Sequence, residues 1–220
     1  MKEHEIDMDL NWTGNLTLVR HGETDFNKEN RFVGTTDQSL NKKGREQAKK
    51  TGEYLLDWSI KNQITYEVIL TSPLKRCHET AKIINQFFNI DVDKEDLLRE
   101  RNYGIFEGLR HKTAAEKYPD LWSRYRMDKP FIKLPEGESG YDVEERVKKL
   151  LEQKIPNDHA NQIEILIVSH LNPLRAFFRL LGLADWDIYF KSFNNASVSR
   201  ILINPENIQF DFCDRCPVVK

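Results

Sequence analysis

The chain has 220 residues, with 33 Lys+Arg against 35 Asp+Glu, a formal net charge of -2 and a mean hydropathy of -0.64. A domain of this length buries roughly 70–75% of the surface its unfolded form exposes, so it needs no disulfide or metal staple. The near-neutral balance disfavours a coat for nucleic acid, which carries a basic excess, and no stretch approaches the ~20 apolar residues of a membrane span.

Residues 1–14 are acidic and lack the apolar core of a signal peptide, so an N-terminal extension and cytoplasmic residence are expected. Asn15–Arg20 (NLTLVR) is a short β-branched and leucine-rich run that must turn at His21-Gly22. Asn41–Trp58 spaces Lys and Glu around Ala48, Tyr54, Leu55 and Leu56, which suits an amphipathic helix. Tyr66–Leu70 (YEVIL) is the next strand, closed by Thr71-Ser72-Pro73. Pro73 fits the first turn of a helix running towards Phe88, with Ser72 as its cap. Lys112–Arg126 and Ser139–Lys154 read as two further helices joined by a Pro-containing loop. Ile163–Val168 (IEILIV) reads as a buried strand leading into Ser169-His170 and a helix over Pro173–Leu181. Val198–Ile203 and Ile208–Phe212 complete the expected strands.

Alternating strands and helices imply an α/β fold, a three-layer α/β/α sandwich around a mostly parallel sheet. Ligands of such sheets bind beyond the carboxyl ends of the strands. There the pattern places three polar clusters: His21, Ser72–Arg76 and His170. Each alone has an ordinary structural reading. Together, two histidines and two arginines make a cationic pocket suited to a tetrahedral dianion, because Arg presents permanently charged planar forks to phosphate oxygens. Neutral imidazole can attack phosphorus and split one displacement into two, and a protonated glutamate such as Glu100 can donate to the leaving oxygen. The scheme requires no metal.

LTLVRHGETDFNKENRFVG, TSPLKRCHETA, LRERNYGIFEG, LPEGESGYDVEERV and IVSHLNPLRAF resemble, in order and over nearly the whole chain, the histidine phosphatase superfamily around cofactor-dependent phosphoglycerate mutase. The resemblance implies a single domain over residues 15–212 with a helical cap at about 107–136, and a tail over 213–220. It implies His21 as phosphorylated nucleophile, Glu100 as proton donor and later base, and Arg20, Arg76 and His170 as phosphate clamp. Asn27 is implied as a further polar contact. Arg31, Gly34, Arg101, Tyr103 and Asn172 match substrate-side positions, and Glu23 a loop organiser. Leu171 stands where the family has glycine, a residue whose N–H lies close to the phosphate; leucine there needs negative φ. Cys77 fills a position commonly held by alanine and reads as a small packed residue.

Phosphatase and mutase share the phosphohistidine and differ in the acceptor. The short MDKPFIKLPE connection, the separated arginines of Trp122–Arg126 and His111 at a mutase lysine position favour a phosphatase. The alternatives are a 2,3-bisphosphoglycerate-dependent mutase, with that cofactor, and a non-catalytic phospho-ligand module. Otherwise no cofactor is expected. The expected partner is a small phosphorylated metabolite, with neither nucleic acid nor membrane, and with a homodimer left open. Cys213-Asp214-Arg215-Cys216 is one CxxC without a second pair, weak support for zinc.

Overall fold

A computed structural model describes residues 13–153, 163–204 and 206–217; the ends of the expected N-terminal extension, the 213–220 tail and the 139–154 helix lie partly outside them. Six strands form one sheet in the order β3-β2-β4-β1-β5-β6. The strands are β1 (Gly14–Arg20), β2 (Val68–Thr71), β3 (Asp91–Lys94), β4 (Ile163–Ser169), β5 (Val198–Asn204) and β6 (Asn207–Arg215). The pairs β1–β4, β2–β4 and β2–β3 are parallel, whereas β5 runs antiparallel to β1 and β6 to β5.

The side-chain period of two sends alternate residues of the central strands to opposite faces. Leu16 and Leu18 of β1 and Ile165 and Ile167 of β4 pack into one core. That core is closed by α6 (Gly140–Gln153) and α7 (Leu171–Leu180). Val19, Leu166 and Val168 face a second core closed by α2 (Lys42–Asn62) and α3 (Lys75–Asn85). The result is a helix–sheet–helix sandwich. α2 starts where Asn41 accepts the Gly44 N–H at 2.8 Å, and ends at Gln63 in the left-handed region at φ 56°.

A third cluster belongs to the cap, where Phe32, Tyr103, Phe106, Tyr125, Ile132 and Leu134 are buried together. A one-turn helix, α1 (Asp25–Lys28), follows the His21 turn. The helix expected over 112–126 is two helices, α4 (His111–Lys117) and α5 (Pro119–Met127). The break falls on Tyr118 (φ -135°, ψ 61°) because Pro119 excludes the helical region for the residue before it. Strand β3 has no counterpart in the sequence reading: DVDK is an exposed, charged edge strand with little apolar alternation to reveal it. Strand β6 runs past Phe212 through Cys213 to Arg215, so the chain beyond 212 is partly sheet. Among the described residues no helix is long and apolar enough to cross a membrane.

Candidate active site

The register aligns three strand ends at one edge of the sheet. Arg20 pairs with Ser169, and Thr71 pairs with Val168. The residues that follow, His21, Ser72 and His170, therefore meet. The His21 and His170 rings lie 5.2 Å apart at 63°. His21 is buried, and its Nδ1 lies 2.7 Å from the Gly22 carbonyl oxygen. A carbonyl only accepts, so Nδ1 carries the proton and the Nε2 lone pair is left for chemistry. Burial, then the Arg76 and Arg20 charges, holds His21 well below the usual imidazole range. The ring is thus neutral at neutral pH, as a nucleophile must be.

The backbone of His21 is clamped as firmly as its ring. Its N–H donates to the Ser169 carbonyl at 3.0 Å, and its carbonyl accepts from Ala196 N–H at 3.1 Å and Asn195 Nδ2 at 3.1 Å. His170 has the opposite tautomer. Its Nδ1 accepts from Arg76 Nε at 3.1 Å, which leaves Nε2–H to donate to Ser72 Oγ at 2.8 Å. Burial, followed by Arg76, also lowers its pKa well below the imidazole range. Ser72 therefore orients His170; the expected cap of α3 is instead Leu74, with no side-chain cap bond. Cys77 is fully buried, with Sγ 3.3 Å from His170 Nε2.

Arg76 is fully buried and spends its remaining donors on backbone: Nη1 on Thr36 O at 2.9 Å and Nη2 on Gly34 O at 2.7 Å. Those carbonyls belong to a loop held by Glu107. The Glu107 carboxylate accepts from the N–H groups of Gly34, Thr35 and Thr36 at 3.2, 3.0 and 3.3 Å, and from Thr36 Oγ1 at 2.7 Å. A fifth bond comes from Tyr103 N–H at 2.9 Å. Gly34 is required here: a Cβ would lie 2.0 Å from Glu107 Oε1 and 2.2 Å from the Arg101 carbonyl oxygen. Arg20 donates to the Phe193 carbonyl, has no partner at Nε among the described residues, and is lowered to about 10, chiefly by burial.

Glu100 lies in the chain between β3 and the cap and lines the same cavity as Arg20 and His21. Its Oε1 accepts from Arg101 N–H at 2.8 Å, Asn172 N–H at 3.2 Å and Asn172 Nδ2 at 3.0 Å. Asn172 Nδ2 also donates to Tyr103 Oη at 2.8 Å. One carboxylate oxygen is thus immobilised while Oε2 makes no hydrogen bond among the described residues. Asn172 acts on the site through Glu100 and Tyr103.

Arg20, His21, Glu100, Tyr103 and Leu171 line a cavity of about 320 Å³, with Asn27 and Arg31 at its α1 side. Asn27 Oδ1 is committed to the Thr24 capping box. Arg31 pairs with Glu29 at 2.7 Å. Leu171 opens α7 with its φ outside the left-handed region, so this position needs no glycine in this chain. Arg76 and His170 pack behind His21 and do not themselves line the cavity. Arg101 does not reach it either; its guanidinium donates to the Glu138, Lys129 and Ile132 carbonyls and ties the cap down. Glu23 holds Asn41 Nδ2 at 3.1 Å and Lys43 Nζ at 2.7 Å, outside the cavity.

Glu107, Asn195 and Arg175 also shape the site and are not among the residues expected from the sequence. Arg175 carried a signal: each of the two arginines in the otherwise apolar LRAFFRL of a buried helix must meet an anion or a ligand. Its neighbour Arg179 meets Glu144, whereas Arg175 lines the cavity. Among the described residues no group of three or more His, Cys, Asp or Glu side chains is arranged to hold a metal ion.

Known proteins resemble this chain over most of its length. The phosphoserine phosphatase 1 of Hydrogenobacter thermophilus is 35% identical over 187 residues, spanning 84% of this chain and 85% of its own. The 2,3-bisphosphoglycerate-dependent phosphoglycerate mutase of Porphyromonas gingivalis is 32% identical over 202 residues, spanning 79% and 80%. A solved structure, mycobacterial hydrolase 1, superposes with a TM-score of 0.79 at 25% identity, covering 93% of this chain and 99% of that one. The model of the histidine phosphatase superfamily (branch 1) matches residues 16–214, and the chain belongs to that family.

Proposed function

We propose that the protein is a phosphomonoester hydrolase working through a phosphohistidine on His21. The observation that carries this reading is the His21 tautomer: Nδ1–H is held by the Gly22 carbonyl at 2.7 Å, on a neutral ring beside Arg20, Arg76 and His170. His21 Nε2 attacks phosphorus as the ester P–O bond breaks in line. Arg20 and Arg76 balance the charge on the equatorial oxygens, with His170 beside them. Glu100 delivers its proton to the departing oxygen. In the second half, Glu100 takes a proton from water, the water oxygen attacks phosphorus, and the P–N bond breaks to release inorganic phosphate and restore neutral His21.

Relatives with both phosphatase and mutase names support the shared phosphohistidine step. The separated arginines of the cap favour water as acceptor. The substrate is a small phosphorylated metabolite, since about 320 Å³ lies at the low end of ligand cavities, roughly 300–1,000 Å³. The test is phosphate release from a phosphomonoester panel in EDTA, with His21→Ala in parallel and a 2,3-bisphosphoglycerate arm that follows isomerisation of 3-phosphoglycerate. Release abolished by His21→Ala is expected. Isomerisation with little release would make the protein a mutase, and neither activity would leave a phospho-ligand module.

A further inference from the structure

The cavity holds more positive charge than one phosphoryl group uses. Arg20 in the lining, with the charge of Arg76 behind His21, suffices for a phosphoryl dianion, and Arg31 already has Glu29. Arg175 and Lys129 remain. Both line the cavity, and neither has an ion-pair partner among the described residues. Arg175 is buried, gives Nη2 to the Lys191 carbonyl and Nη1 to Asn172 Oδ1 at 3.4 Å, and has no partner at Nε among the described residues. The only carboxylate in the described lining is Glu100, whose Oε1 is committed elsewhere. Unpaired charges in a part-buried site are costly, and a ligand anion removes that cost.

Lys129 is also a positioned group. It stands in the tight turn that follows α5, and Arg101 Nη1 grips its backbone carbonyl at 2.7 Å. Its Nζ lies 5.8 Å from the Tyr125 ring centroid and 5.7 Å from that of Phe190, within cation–π range. Burial, then the charge of Arg175, pushes Lys129 down to about 8, and Arg175 also bears on Arg20. The three cations are therefore electrostatic neighbours running from the phosphoryl end of the cavity towards the cap.

We infer that Lys129 and Arg175 form a second anion subsite that selects small phosphomonoesters bearing another anionic group, a carboxylate or a second phosphate. The inference rests on the phosphatase reading for its phosphoryl end, and adds the substrate class. The small cavity fits a compact two-anion metabolite better than a nucleotide. Lys129 and Arg175 bind the non-reacting end of the substrate, so they set specificity and not the chemistry.

The test pairs substrates that differ only in that group. 3-Phosphoglycerate and glycerol 3-phosphate exchange a carboxylate for a hydroxymethyl; 1,3-propanediol bisphosphate and 3-hydroxypropyl phosphate test a second phosphate. In the wild type, one anionic member is expected to be preferred in kcat/KM by about tenfold or more, the worth of a charged hydrogen bond. Lys129→Gln collapses that ratio, mainly through KM; Lys129→Arg retains it. Lys112→Gln, on an exposed residue outside the cavity, leaves it in place. The same pairs are titrated calorimetrically against His21→Ala, which reads binding without turnover. No preference in turnover or binding, or a preference that survives Lys129→Gln, overturns the subsite. His21-dependent hydrolysis without preference would sink the subsite alone. Lys129-dependent preferential binding without hydrolysis would sink the phosphatase reading alone.

Discussion

Replacing Glu107 by Ala isolates a residue that touches no substrate and yet determines where the phosphate clamp sits. The change removes an acceptor for five donors, of which Thr35 N–H is exposed and can return to water. The other four are part-buried: Gly34 N–H, Thr36 N–H, Thr36 Oγ1 and Tyr103 N–H. At the low end of the cost of an unmet donor, about 1 kcal/mol each, the loss is about 4 kcal/mol of stability. For a chain of this size that lowers the melting temperature by about 8–16 °C. The freed loop also carries the Gly34 and Thr36 carbonyls that hold Arg76. A displacement of about 1 Å at a charge-stabilising group costs about 100-fold in rate. The assay is kcat/KM for nitrophenyl phosphate and an alkyl phosphate, measured well below the new melting point, with circular dichroism to show a folded variant. Both substrates should lose about equally, since Arg76 serves the phosphoryl group they share. A folded Glu107→Ala protein within about threefold of wild type would refute the chain of support from Glu107 through the loop to Arg76. A loss confined to the alkyl phosphate would make Glu107 the acid.

Glu100→Gln should show that selective pattern, losing far more activity on alkyl phosphates than on nitrophenyl phosphate, whose leaving group needs no proton; equal losses would remove Glu100 from that role. Stability should fall as pH drops below the ordinary imidazole range, about 6.5. There the unfolded chain takes up protons on His21 and His170 that the folded chain refuses, because both folded pKa values are depressed. Denaturant unfolding of wild type between pH 5 and 7 should therefore show a slope of up to about two protons from these groups, halved in His170→Gln; a flat profile would contradict the buried neutral rings. KM for the preferred two-anion substrate should rise above pH 8, as Lys129 loses its proton under burial and the charges of Arg175, Arg126 and Arg101. Its partner lacking the second anion should show no such rise, and parallel curves would exclude Lys129.

The reactive end of the site was legible because strand-end residues are placed by topology. NLTLVRH, YEVILTSPLKR and IEILIVSH each read as apolar run followed by polar turn, and three parallel strand ends can only meet at one edge. Direction was not legible. Arg101 and Arg31 look alike in sequence as substrate-side cations. Yet Arg101 turns its fork onto the Lys129, Ile132 and Glu138 carbonyls, while Arg31 faces the cavity. Gly34 likewise supplies room for Glu107 and no contact at the cavity. Backbone carbonyls leave no trace in composition, so the sequence could not tell a cation that binds substrate from one that binds the chain. The same limit hid β3, whose pairing to β2 is made by backbone alone, and the role of Glu107, which binds N–H groups belonging to any residue type.

The grip of Arg101 on the cap bears on how such enzymes can be rebuilt. Arg101 is the immediate neighbour of Glu100, and its own N–H bonds the Glu100 carboxylate. One dipeptide therefore anchors both the proton-handling group and the segment that carries Lys129. A cap transplanted from a relative to change selectivity cannot be treated as an interchangeable module. Unless the graft presents three carbonyls to the same guanidinium, its arrival will disturb Glu100 as well. Chimeras that move the cap junctions outside the stretch from Glu100 to Glu138 keep this mechanical link whole, and those are the exchanges in which specificity can be transferred without loss of rate.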